Sequence, residues 1–278
     1  MKIIENQTFD QERAFYGSDG VTVRGCEFCG AADGESAFKE SKNITVEGCR
    51  WELRYPFWHD ENVDVRETVF EATCRAPFWY SSGVKIFASG LHGTKAFREC
   101  DNVNIRSADI ISDEFGWYCR DVDIANSSAS GEYFLMHTAG VTLKSFSLKG
   151  KYSFQYVTDA VIENCNLDTK DAFWHAKRVT VKNSTVKGEY LAWYSEDITF
   201  INCRIIGTQP LCYCKGLRLI DCEMIDADLA FEKSEVEATL KAPIISIKNP
   251  ASGSITVPSV QDTIIDDPNS RCIITLKS

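Results

Sequence analysis

Two adjacent positions recur along this chain with side chains able to grip or transform a ligand. One reads Lys39, Trp58, Trp79, Arg98, Trp117, Met136, Gln155, Trp174, Trp193, Cys212 and Phe231. The next reads Glu40, His59, Tyr80, Glu99, Tyr118, His137, Tyr156, His175, Tyr194, Tyr213 and Glu232. Indole and phenol rings rimmed by His, Arg and Glu suit sugars, which offer apolar ring faces and hydroxyl edges. Contact with a carbohydrate is therefore assigned to Trp58, His59, Trp79, Tyr80, Trp117, Tyr118, Tyr156, Trp174, His175, Trp193 and Tyr194. If the site is catalytic, Glu99 and His137 are the proton-transfer groups and Arg98 clamps an anion or the transition state. The reaction classes that use such groups on a saccharide are lyase and glycoside hydrolase. Stacked carboxylates ~5 or ~10 Å apart bracket both glycosidase separations, so spacing does not choose between them.

The two positions lie side by side in every copy because the chain repeats. The pattern V-x-V-x-x-C-x-F appears as VTVRGCEF from Val21, ITVEGCRW from Ile44, VDVRETVF from Val63 and VKIFASGL from Val84. Further copies start at Val103, Val122, Val141, Ala160, Val179, Ile198 and Leu217, each nineteen residues after the last. A fixed period of this length marks a solenoid. Within each copy apolar and polar residues alternate, and β-branched types dominate, so the pieces are strands. Gly83, Asn102, Asp121, Gly140, Asp159, Asp197 and Gly216 precede the first strand and tolerate left-handed turns. Gly93, Gly131, Gly150, Gly188 and Gly207 follow the second strand.

The expected fold is an all-β, single-stranded, right-handed parallel β-helix with coils of about 19 residues and capped ends. It forms a single domain over 1–278: an N-terminal cap at 1–20, about eleven coils over 21–235, and a C-terminal cap at 236–278. A six-residue sub-period and leucine-rich spacing are both missing, which sets aside the left-handed hexapeptide helix and the leucine-rich repeat.

Columns follow from stacking. Phe38, Phe57, Phe78, Phe97, Phe154 and Phe173 share a column that no charge enters, so it should face the core. Alternation then turns the tryptophan column outward; the converse packing would bury the tryptophans instead. Five half-exposed indoles would present about 500 Å², large for a monomer's apolar patch. Cys26, Cys49, Cys165, Cys203 and Cys222 share another column and read as an inward ladder of small residues. Cys26 and Cys29 form a C-x-x-C without further ligands at zinc spacing, so no metal is assigned. Cys100 and Cys119 fall one coil apart and would pair if oxidised. Asp113, Glu132, Lys151, Lys170 and Glu189 read as a solvated charge ladder. His59 with Asp60, and Asp171 with His175, read as hydrogen-bonded surface pairs. Arg54, Arg75 and Lys95 join Arg98 as cations available to a uronate carboxylate.

Composition bounds the partners. A formal net charge of −10 argues against nucleic acid, since phosphate neutralisation needs a basic surface. No apolar run approaches membrane-span length. Twelve cysteines without a signal-type start lead us to expect reduced thiols and a cytoplasmic setting. No cofactor is expected; a carbohydrate ligand and a second copy of the chain are the expected partners. The alternative to a carbohydrate role is a non-catalytic scaffold whose aromatic stripe binds a protein or itself.

The strings ENQTFDQERAFYG, RYPFWHDENV, EFGWYCRDV, EYFLMH, KYSFQYV, TKDAFWHAK and GTQPLCYCKGL resemble the bacterial domain-of-unknown-function family 3737 over essentially the whole chain. That resemblance implies a pectin-lyase-like right-handed β-helix, and it brings no catalytic residues with it.

Overall fold

A computed structural model describes residues 2–277. The chain is all-β, a parallel β-solenoid of about 14 turns. First strands stack in register through pairs such as Val84↔Val103 and Ile86↔Ile105, then Val103↔Val122 and Ile105↔Ile124. Alternation explains why they do so. Val84, Ile86, Val103 and Ile105 point inward and are buried, whereas Lys85 and Asn104 point out.

The segments expected to cap the stack are themselves further rungs. Lys2–Glu5 pairs in parallel with Val21–Arg24. Val236 pairs with Leu217 and with Gly253, and Ser252–Val257 then pairs with Ile273–Leu276. The pattern was invisible there because the V-x-V spacing decays while the alternation survives. The chain divides into two compact units, the first ending at Thr142 and the second beginning at Leu143.

Two inward ladders hold the bends together. At one bend the Cys49 N–H donates to Thr68 Oγ1 at 3.2 Å, and Thr68 N–H donates to Ser89 Oγ at 3.1 Å. In the second unit Cys165 N–H donates likewise to Ser184 Oγ at 3.0 Å. Each bend leaves a backbone N–H without a strand partner, and a small side chain from the next coil accepts it. That requirement explains why most rungs of the column hold Cys, Ser or Thr, with Ala108 and Phe146 as exceptions. All twelve cysteines are free thiols, and only Cys29 and Cys272 are not buried. Cys100 N–H donates to Cys119 Sγ at 3.4 Å, so that pair serves a ladder as thiols.

The turn before each first strand is left-handed, with φ of +67° at Gly83, +55° at Asn102 and +53° at Asp121. Close stacking accounts for the glycines after the second strand. A Cβ on Gly207 would stand 2.2 Å from the Gly188 carbonyl oxygen.

Candidate functional site

In the first unit, Phe57–Trp58, Phe78–Trp79 and Phe97–Arg98 form a three-stranded parallel sheet on the coil's third side. The phenylalanines are buried and stack at 5.1 Å and 4.7 Å. The tryptophans are half-buried on the outer side, which decides the question of facing.

Yet these indoles are not open platforms. Trp58 and Trp79 lie parallel at 5.1 Å, so each covers the other's face and turns an edge to solvent. Their N–H groups are committed too. Trp79 donates to the Lys95 carbonyl at 2.8 Å and Trp117 to the Tyr133 carbonyl at 2.8 Å, each on the following coil. The same bond recurs in the second unit from Trp174 to Tyr190 and from Trp193 to Gln209. The tryptophan column is thus first a set of inter-coil ties. Sequence spacing locates the rings but cannot show that neighbours occupy their faces.

Arg98 takes the place of a ring in this column. Its Cζ lies 5.3 Å from the Trp79 centroid and 5.7 Å from that of Trp117, a guanidinium between two indoles. Lys39 Nζ covers the Trp58 ring at 5.9 Å.

The neighbouring position is a left-handed corner. φ is +59° at His59, +57° at Tyr80, +51° at Glu99, +57° at Tyr118 and +57° at His137. Non-glycine residues resist this conformation, and hydrogen bonds to the next coil hold it. His59 N–H donates to Trp79 O at 3.0 Å, Tyr80 N–H to Arg98 O at 3.0 Å, and Glu99 N–H to Trp117 O at 2.9 Å. No β-branched residue occupies the column, which was a legible sign of a left-handed site. His59 stacks on Tyr80 at 4.9 Å, and Tyr118 on His137 at 4.9 Å.

Glu99 therefore has a ring on either side of its rung and none of its own. Beside it opens a recess of about 520 Å³ lined by Glu99, Asp101, Tyr118 and Arg120. Asp101 and Arg120 form a two-pronged ion pair at 2.6 and 2.8 Å. The hydrogen bonds from Arg120 hold the Asp101 carboxyl below the usual range. Neither residue was assigned from the sequence, although their nineteen-residue separation places them on adjacent coils. Arg98 and Glu99 approach at 3.7 Å. His137 lies on the far side of the Tyr118 ring from Glu99, so the two expected proton-transfer groups do not share one site. Burial lowers the His137 pKa and favours the neutral imidazole.

In the second unit, Tyr156, His175, Tyr194 and Tyr213 form one continuous stack with spacings of 4.9, 5.2 and 4.8 Å. Trp174 and Trp193 stack at 5.6 Å. No ring is missing within either run.

Both expected His–Asp surface pairs are corrected. Asp60 is buried at 1% exposure on the core side of the corner, while His59 turns outward. Asp60 Oδ1 accepts the Ser41 N–H at 3.0 Å, its Oδ2 has no partner, and burial raises its pKa to about 8. Asp171 is also buried with a raised pKa, whereas His175 is stacked between Tyr156 and Tyr194. Of the other uronate-type cations, Arg54 is held by Asp33 and Glu35, and Lys95 by Glu114. In the charge ladder Lys170 pairs with Glu189 at 3.4 Å.

Coils, inward ladders and stacked corners define a parallel β-helix repeat protein with aromatic columns on one side. The chain belongs to the family described as Protein of unknown function (DUF3737), whose profile matches residues 2–275. No curated protein matches it. Among solved structures, it is similar to the A-module of mannuronan C-5 epimerase AlgE4 from Azotobacter vinelandii. That likeness has 13% identity and a TM-score of 0.33 over 86% of this chain and 81% of that one. It is also similar to PfbA, a surface adhesin of Streptococcus pneumoniae, at 15% identity and a TM-score of 0.28, covering 90% and 64%. QnrB1, a plasmid-mediated fluoroquinolone resistance protein, matches at 13% identity and a TM-score of 0.25, covering 66% and 81%. Likenesses at this level bring no activity to this chain.

Proposed function

We propose that the first unit binds carbohydrate at the Glu99 rung. The carrying observation is the interruption itself: rings stand at Tyr80 and Tyr118, and the rung between them is empty of a ring. Coils repeat every ~4.8 Å, so the two flanking rings stand about 10 Å apart. One further ring at that rung would sit at the stacking distance used elsewhere in the column. Around it, Glu99 and Asp101 accept hydrogen bonds from hydroxyls, and Tyr118 Oη and the remaining N–H groups of Arg120 donate them.

Binding fits the arrangement better than turnover. Asp101 has both oxygens engaged by Arg120, and Tyr118 screens Glu99 from His137. Calorimetry and tryptophan fluorescence against a panel of neutral and acidic oligosaccharides test the proposal. Saturable binding that Tyr118→Ala weakens about tenfold, with the melting temperature lowered by no more than a few degrees, supports it. Silence across the panel would sink it. Light scattering over a concentration series on the same samples reads out the competing role, self-association through the stripe.

A further inference from the structure

We infer that the Glu99 rung takes an acidic sugar, with the ligand's carboxylate received by Arg98. The inference rests on the carbohydrate reading above and narrows it to a charge class. Trp79 and Trp117 cover both faces of the Arg98 guanidinium, so the 30% of the side chain that remains accessible is its edge. The guanidinium makes no hydrogen bond to the described residues: Nε is buried and unpartnered, the closest carboxylate oxygen, Glu99 Oε1, is 3.7 Å from it, and the exposed edge is left to the terminal nitrogens. At that distance the ion pair is not a hydrogen bond.

A guanidinium held flat between indoles is a pre-organised fork. Little side-chain freedom remains to be lost when a carboxylate docks in its plane. The other cation nearby is not open in this way, because Arg120 is held by Asp101 through two bonds. The formal −10 charge of the whole chain repels an anion at long range. At physiological salt that field is screened within about 8 Å, and contact with the fork decides. A ring seated between Tyr80 and Tyr118 has an aromatic ring one rung away on each side, and Arg98, whose Cζ lies 5.9 Å from the Tyr118 centroid, borders it. The ring thus stacks while its carboxylate turns to the fork. Glu99 is then a competitor for Arg98 and must turn aside toward a hydroxyl.

This gives the two residues opposite signatures. Tetragalacturonate and galactotetraose, which differ at C6 as carboxylate and hydroxymethyl, are titrated calorimetrically into the full chain and two variants. The acidic tetramer is expected to bind at least tenfold tighter. Arg98→Trp, which restores the column's usual residue, should fold normally and erase that preference. Glu99→Gln keeps an acceptor for the ligand hydroxyl and removes the charge that competes for Arg98, so it should widen the ratio of acidic to neutral affinity severalfold. Equal affinity for both tetramers, or an acidic preference that survives Arg98→Trp, overturns the charge assignment while leaving the carbohydrate reading standing. Absence of binding by either tetramer and by the wider panel overturns the reading itself. An acidic-to-neutral ratio that narrows in Glu99→Gln would show that Glu99 does not compete with the ligand for Arg98, and would count against the fork.

Discussion

The two corner stacks share one design and differ at one rung. In the second unit, Tyr156, His175, Tyr194 and Tyr213 cover one another's faces without a gap. In the first, pairs of rings flank Glu99, and the coil that carries it also replaces tryptophan with Arg98. An unbroken stack exposes ring edges, which offer little to a sugar. A broken one exposes two faces toward each other. The aromatic composition of a column therefore says less about binding than where its periodicity fails.

The backbone differs too. Phe57 and Phe78 N–H groups donate forward to Pro77 and Ala96, whereas Phe173 and Ala192 donate back to Ser153 and Ala172. φ is accordingly +62° at Phe173 and +58° at Ala192, while Phe57 and Phe78 are extended strand. The change begins at Gly116, whose N–H donates back to Phe97. Nineteen-residue coils occur on both sides of this change, as from Phe78 to Phe97 and from Phe173 to Ala192, so one inward column can be built with two backbone conformations.

The largest expected effect ignores the difference between the units. Phe78→Ala and Phe173→Ala each remove a fully buried ring, and each should cost ~3–5 kcal/mol in denaturant unfolding. A marked disparity between them would show that the strand and turn versions of the column are unequally packed.

The next concerns the corner beneath His59. Other rungs of that inner column both accept and donate: Ser81 Oγ accepts from Asp60 N–H and donates to Phe57 O, and Ser234 Oγ accepts from Cys214 N–H and donates to Leu211 O. Aspartate can do both only when protonated, which agrees with a pKa raised to about 8 by burial. The sign follows from linkage. Below about pH 4 both folded and unfolded states hold the proton, so Asp60 adds no pH dependence. Between about pH 4 and 8 the unfolded chain loses it while the folded chain keeps it, so stability falls as pH rises. Asp60→Ser restores the column's usual chemistry and should stabilise by ~1–3 kcal/mol at pH 8. The gain should shrink toward pH 4, as read from melts at several pH values. An equal gain at pH 4 and 8 would mean that Asp60 is not titrating.

The smallest change in stability carries the sharpest test of the comparison. Glu99→Tyr fills the missing rung and makes the first stack resemble the second. It should add ~0.5–1.5 kcal/mol from ring stacking while abolishing oligosaccharide binding. Retained affinity in this variant would show that the gap is not the site.

Much of this is legible in the amino-acid sequence. The nineteen-residue spacing, the alternation and the charge-free phenylalanine column follow from side-chain type alone, because stacking in register turns a period into columns. The left-handed corner was legible in part, through a column of His, Tyr and Glu with no β-branched member. What could not be read is whatever depends on the neighbour one coil away. Trp79 reads the same whether its face is open or covered by Trp58. Asp60 reads as surface polar beside His59, because a bend, not the alternation, sets which side it takes. Asp101 and Arg120 are unremarkable in sequence and become a pair only through stacking. The coil and its columns follow from residue type and spacing, since local sterics and burial act on each residue in turn. The tertiary structure alone decided which ring faces and which charges are left without a partner, since that is a property of adjacent coils and not of any one of them.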